Sequence, residues 1–206
     1  MSQIHEYILS FIAFDNKQLS VISEQERRRN DIQPSVGPEV AKLLGLLIRV
    51  VNAKRVLEIG TCLGYSTVWF GQAVKETNGK LVSIEYNEQL FNETKKNVEL
   101  AGLDQYVDLR LGDASEEIKT LEGPFDIIIQ DSDKKLYPEM LEDCVQLIRV
   151  NGMIVADDTL FKPMGIPDKF SKPMDEYNQK VFLDTRLYST ILPIGDGVTI
   201  SVKVKE

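Results

Sequence analysis

Two stretches of the chain concentrate residue types that do chemistry. The first is Glu58-Ile59-Gly60-Thr61-Cys62-Leu63-Gly64-Tyr65-Ser66, where glycines follow a carboxylate. Glycine lets the backbone approach a ligand closely and opens positive φ. The spacing is Glu-x-Gly-x-x-x-Gly. Cys62 and Tyr65 stand where a dinucleotide fingerprint needs glycine, which weakens an NAD reading. Further on, Glu85 ends an apolar run, where its carboxylate could accept both hydroxyls of a ribose. Gly112-Asp113-Ala114 follows the next run, and Asp113 could face an adenine amino group. Each acid alone also reads as a solvated loop residue or a helix cap. Their recurrence at successive strand ends favours a shared ligand.

The second stretch is Gln130-Asp131-Ser132-Asp133-Lys134-Lys135-Leu136-Tyr137, answered by Ala156-Asp157-Asp158-Thr159-Leu160-Phe161. If the strands before them are neighbours, Asp131, Asp157 and Asp158 converge at one rim. Clustered carboxylates repel unless a cation or raised pKa values relieve them. Hard oxygen ligands suit Mg²⁺, Mn²⁺ or Ca²⁺, and an open octahedral site leaves positions for a chelating substrate. Lys134 beside such an ion should have its pKa lowered and could act as general base on a hydroxyl. The plainer alternative is an acidic loop with surface lysines.

Alternating elements must position these residues. Residues 1–30 read as helical, and Pro34 and Pro38 punctuate the connection to a helix over Glu39 to Val51. Strands are expected at Arg55 to Ile59, Leu81 to Ile84, Val107 to Leu111, Phe125 to Ile129 and Met153 to Ala156. Helices are expected at Ser66 to Lys75, Glu88 to Leu100, Ser115 to Leu121 and Tyr137 to Ile148. A Pro-rich stretch precedes a helix from Met174 to Leu183, and strands near Tyr188 to Leu192 and Val198 to Val204 close the chain. This order predicts a Rossmann-like, doubly wound α/β sheet of seven strands, mostly parallel. The last two strands lie too close for a helical crossover, so one should run antiparallel. Ligands of such sheets bind beyond the carboxyl ends of the strands.

A length of 206 residues suits a single domain, with 1–35 as an N-terminal helical cap. No apolar run approaches the roughly 20 residues needed to span a bilayer, and no charged-then-apolar leader opens the chain, so it reads as cytoplasmic with no membrane partner. Cys62 and Cys144 are too few for a disulfide framework and read as small core residues. The single histidine, His5, excludes a Ser-His-Asp scheme and His-rich metal sites. Acid–base work must fall to Asp, Glu, Lys or Tyr. The net charge of −8 repels polyanions, and the basic run Arg27-Arg28-Arg29 is the one feature that argues for RNA.

The first stretch resembles that of the class I S-adenosylmethionine-dependent methyltransferases. That resemblance implies Glu58, Gly60 and Ser66 around the methionine part of the cofactor, Thr61 among the other cofactor-binding residues, Glu85 on its ribose and Asp113 and Ala114 near its adenine. The second is similar to the cation-dependent O-methyltransferases, the catechol and caffeoyl-CoA group with its small bacterial relatives. Their pattern is Asp-Ala-Asp-Lys-x-x-Tyr followed by Asp-Asn. Asp131-Ser132-Asp133-Lys134 with Tyr137 fits it, as do Tyr177-Asn178, Asp184-x-Arg186, Leu192-Pro193-Ile194-Gly195-Asp196-Gly197 and Lys203. The likeness runs from about Pro34 to Lys203. It implies Val36 and Asp131 beside the cofactor, a divalent cation on Asp131, Asp157 and Asp158, Lys134 as base and a homodimer. Asp158 departs from the usual Asn, and Gln130 stands where an apolar residue is common. The implied acceptor is a small hydroxylated aromatic, with Phe161, Met164 and Ile166 near it. The nearest alternative is hydroxyuridine in tRNA, and more distant ones are a dinucleotide-dependent oxidoreductase or a non-catalytic binding module.

Overall fold

Short apolar runs bounded by turn residues become the strands of one sheet. The computed structural model describes residues 3–14, 16–33 and 35–206, so Pro34 lies outside the described residues. In chain order the elements are α1 (Gln3–Leu9), α2 (Lys17–Arg27), α3 (Pro38–Val50), β1 (Arg55–Ile59), α4 (Tyr65–Glu76), β2 (Lys80–Glu85), α5 (Glu88–Leu100) and β3 (Val107–Leu111). They continue with α6 (Ala114–Thr120), β4 (Phe125–Gln130), α7 (Leu136–Glu139), α8 (Leu141–Leu147), β5 (Ile148–Ala156), α9 (Asp168–Leu183), β6 (Leu187–Leu192) and β7 (Val198–Lys203). The sheet is seven-stranded in the order β3-β2-β1-β4-β5-β7-β6. β1 pairs in parallel with both β2 and β4, so the winding reverses there. β7 is the antiparallel strand, paired with β5 and β6.

Side chains alternate across the pleat and feed two cores. Val56, Ile127, Ile129, Met153 and Val155 pack with α2, α3, α4 and α5. Leu57, Ile59, Ile128, Ile154 and Ala156 pack with α6, α7, α8 and α9 on the other face. The parallel strands are covered on both faces, which accounts for their unbroken apolar runs.

Three elements differ from the sequence expectation. The N-terminal helix is broken, because Asn16 accepts from the Gln18 amide at 2.9 Å and so caps α2 afresh. The helix expected to reach Ile148 ends earlier. β5 begins at Ile148, and its pairing with β4 is irregular between Phe125 and Ile127, so Asn151-Gly152 lies inside the strand rather than before it. α9 starts at Asp168, with Pro173 inside it. A proline removes one helical hydrogen bond, yet the buried Met174, Tyr177 and Val181 hold the helix onto the core beyond it.

Candidate active site

The carboxyl ends of the parallel strands set most of the sequence-expected site residues along one rim, while Val36 comes from the connection between α2 and α3. The register aligns Ile59 with Ile84 and with Gln130, Glu85 with Leu111, and Gln130 with Ala156. Pairing continues just past the strands: the Asp131 amide donates to the Ile59 carbonyl at 2.9 Å and the Asp157 amide to the Gln130 carbonyl at 3.1 Å. Gly60 has φ of +98°, and a Cβ there would lie 2.0 Å from the Asp131 carbonyl oxygen. Only glycine allows the first and fourth strand ends to come this close.

On the β1 side, Glu58 is buried and accepts from the Ser66 hydroxyl at 2.5 Å and the Thr67 hydroxyl at 2.7 Å, as well as from Ser83. Burial pushes its carboxyl up to about 7, against those three hydroxyls, and Asp131 adds to the rise. One oxygen of Glu85 accepts from the Thr61 hydroxyl at 2.9 Å and from the Thr61 and Cys62 amides at 3.2 and 3.1 Å. Its other oxygen accepts from the Asn87 amide at 2.8 Å. Glu85 therefore holds the glycine turn in shape, a task not legible in the sequence. Asp113 is exposed and caps α6, accepting from the Ser115 amide at 2.9 Å, while Ala114 is buried beneath it. Its helix-cap reading is thus realised, and the carboxylate still sits at the rim beyond β3.

On the β4 side the lysine is locked. Lys134 Nζ lies 2.7 Å from Asp158, 3.2 Å from Asp131 and 3.1 Å from the Tyr137 hydroxyl, which itself donates to the Gln130 carbonyl at 2.9 Å. Burial works to lower the Lys134 pKa, but the Tyr137 oxygen and the charges of Asp131 and Asp158 around the ammonium outweigh it and the net shift is upward. That upward shift reflects two carboxylates facing the ammonium directly, whereas the lowering expected from the sequence belongs to a cation beside Lys134. Burial raises Asp131, with Asp158 adding to the rise while Lys134 opposes it; the Val36 amide donates to its carboxylate. Burial raises Asp157 well above the carboxylate range, with Asp131 and Asp158 adding to it, and its Oδ1 is buried without a hydrogen-bond partner. Asp158 has φ of 64°, a conformation in which Asn and Asp are enriched, so backbone shape explains the residue type there. The loop is pinned from the C-terminal side. The Thr159 amide donates to Gly197 and the Leu160 amide to Asp196, both at 3.0 Å, and Asn178 Nδ2 donates to the Thr159 carbonyl at 2.7 Å.

The fit to a divalent cation is good in kind. Asp157 offers an orphaned hard oxygen, with Asp131 and Asp158 within electrostatic reach. Among the described residues, however, no three carboxylates already stand together as a ligand group. The Lys134 ammonium takes up two of them.

Sequence reasoning missed Glu26. From the last turn of α2 it accepts from the Ser35 hydroxyl at 2.5 Å, and the Asp131 charge reaches it. The Cys62 thiol donates to the Gln33 carbonyl at 3.3 Å and is pushed up to about 12 by burial and by Glu26. The cap segment is thereby tied to the glycine turn. Cys144 is buried as expected, and Gln130 is fully buried, its side-chain amide donating to the Cys144 sulfur at 3.0 Å. In the basic run, Arg27 and Arg28 pair with Glu24, and Arg29 pairs with Asp31 and Glu93 at 2.6 and 2.8 Å. Arg27 and Arg28 stay exposed at the surface, whereas the Arg29 side chain is largely covered.

A glycine turn and a rim of carboxylates stand at the switch point of a doubly wound sheet, the place where such sheets bind their ligands. The O-methyltransferase family model matches residues 12–204. A catechol O-methyltransferase from Niastella koreensis is 30% identical over 97% of this chain and 96% of its own. A caffeoyl-CoA O-methyltransferase from Medicago sativa is 27% identical over 98% of this chain and 89% of its own. Among solved structures, the O-methyltransferase TomG from Streptomyces achromogenes, in complex with S-adenosylmethionine, superposes with a TM-score of 0.87 at 25% identity, covering 99% of this chain and 97% of its own. The chain belongs to the O-methyltransferase family, the S-adenosylmethionine-dependent enzymes of the catechol and caffeoyl-CoA type.

Proposed function

We propose that this enzyme methylates one hydroxyl of a small aromatic bearing two neighbouring oxygens, drawing the methyl group from S-adenosylmethionine. The observation that carries this is the closeness of the two stretches: Gly60 packs against the Asp131 backbone, so a cofactor on the glycine turn lies beside the carboxylate–lysine group. Gly60, Thr61, Ser66 and Val36 surround the methionine part, with Glu58 bracing Ser66 from below. Glu85 accepts the ribose hydroxyls through lone pairs left free by the loop, and Asp113 and Ala114 border the adenine.

Asp131, Asp157 and Asp158 would hold a divalent cation, Mg²⁺ above Mn²⁺ or Ca²⁺. Such an ion supplies chelation of both acceptor oxygens and a lower pKa for the reacting hydroxyl. Lys134 then serves as base. Once its two carboxylates are engaged elsewhere, the field that keeps it protonated weakens, the ammonium releases a proton to solvent, and the neutral Nζ can take the hydroxyl proton. The freed oxygen attacks the methyl carbon in line, the carbon–sulfur bond breaks, and a neutral thioether leaves. Phe161, 6.0 Å from Lys134 Nζ at its ring centre, borders the acceptor with Met164 and Ile166.

Among the described residues no helix is long and apolar enough to cross a membrane. With both cysteines free, a reducing cytoplasm suits the chain. A homodimer is part of the same proposal, supported by α1, which buries none of its own residues.

The test is methyl transfer to caffeate or 3,4-dihydroxybenzoate. We expect Mg²⁺-dependent turnover that EDTA abolishes, and a loss of about 10²–10⁴-fold in kcat for Lys134→Ala. Full activity in EDTA would remove the cation from the scheme, and an unimpaired Lys134→Ala would remove the base.

A further inference from the structure

We propose that Glu26 is a donor-binding carboxylate that distinguishes the charged sulfonium of S-adenosylmethionine from the neutral thioether left after transfer. The inference rests on the donor assigned above and concerns a residue of the N-terminal cap, outside the strand-end motifs. Ser35 donates to Glu26 at 2.5 Å, and two residues earlier the Gln33 carbonyl accepts from the Cys62 thiol at 3.3 Å, so the segment that holds the carboxylate also meets the tip of the glycine turn. Its field reaches Cys62 and Tyr65 of that turn, and the field of Asp131 reaches it in return. These groups border the place where the methionine part of the donor must lie.

Ser35, Cys62, Tyr65 and Asp131 include no cation, yet Glu26 is half-buried among them beside a second carboxylate. Burying a charge is costly unless an opposite charge compensates it. The donor brings that charge on its sulfur. Methyl transfer removes it, because the electrons of the breaking carbon–sulfur bond stay on sulfur. The product has nearly the same shape without the attraction. A carboxylate placed here therefore tightens substrate over product and hastens release after turnover. A merely structural role for Glu26 would affect both ligands alike.

The experiment is calorimetric titration of the full chain with S-adenosylmethionine, S-adenosylhomocysteine and sinefungin, which carries a protonated amine in place of the sulfonium. For Glu26→Gln we expect affinity for S-adenosylmethionine and sinefungin to fall about tenfold, with S-adenosylhomocysteine held within about twofold. Glu26→Asp keeps the charge and should retain most of the preference, which guards against a folding defect in the Gln variant. Equal losses for all three ligands, unchanged affinities, or a Glu26→Asp profile matching that of Glu26→Gln would overturn the assignment. If the unaltered chain binds none of the three, the donor itself is wrong, an outcome distinct from a failure at Glu26 alone.

Discussion

Glu58 carries its charge at a cost. Its native carboxyl titrates near 7, against 4.5 for an ordinary glutamate, so between those values the folded chain keeps a proton that the unfolded chain has released. Stability must then fall as pH rises through that window, by about 3 kcal/mol from this group. Glu58→Gln removes the titration while keeping a partner for Ser66, Thr67 and Ser83. We expect thermal melts at pH 5 and pH 8 to differ less in the variant than in the unaltered protein. An unchanged difference would show that the hydroxyls hold Glu58 ionised throughout. Asp157 follows the same physics more strongly, since it lacks even a hydrogen bond for Oδ1. The acids were legible in the sequence because they recur after apolar runs. The lock on Lys134 was not, because it depends on how the Asp157-Asp158 loop folds back toward the fourth strand.

Among the elements, the parallel strands and the helices between them were readable from apolar runs ended by glycine or asparagine. β1, α5 and β3 fall where the sequence places them. The misreadings have two causes: a local breaker outvoted by tertiary packing, and a cap too quiet to see. Pro173 argued for a helix start that burial of Tyr177 and its neighbours overrides. Asn16 is a cap without a flanking signal, so the N-terminal break went unseen. The turn after β1 yields a direct test. Gly60→Ala places a methyl against the Asp131 carbonyl at positive φ. Left-handed strain and overpacking together should cost about 2–5 kcal/mol in chemical denaturation. We also expect methyl transfer to drop far more than the folded fraction does, because the displaced neighbour is Asp131. A stable, fully active Gly60→Ala would contradict the close approach of the two strand ends.

At the scale of the whole molecule, α1 and the turn after it leave Ile4, Tyr7 and Phe11 about 70% exposed. A short helix gains most of its stability from burying an apolar face, and α1 buries none within the described residues. A second copy of the chain is the cover we propose. Sedimentation should give twice the mass of one chain, and Tyr7→Glu with Phe11→Glu should halve it. A monomeric unaltered protein would refute this. The hold of the last turn on Thr159 and Leu160 also orders events in time. Asp157 and Asp158 are made about forty residues before the segment that clamps them, near Asp196 and Gly197. Until the turn between β6 and β7 is in place, the loop after β5 lacks the two carbonyls that hold it. The acceptor side of the site therefore waits on a turn that pairs with it from far along the chain.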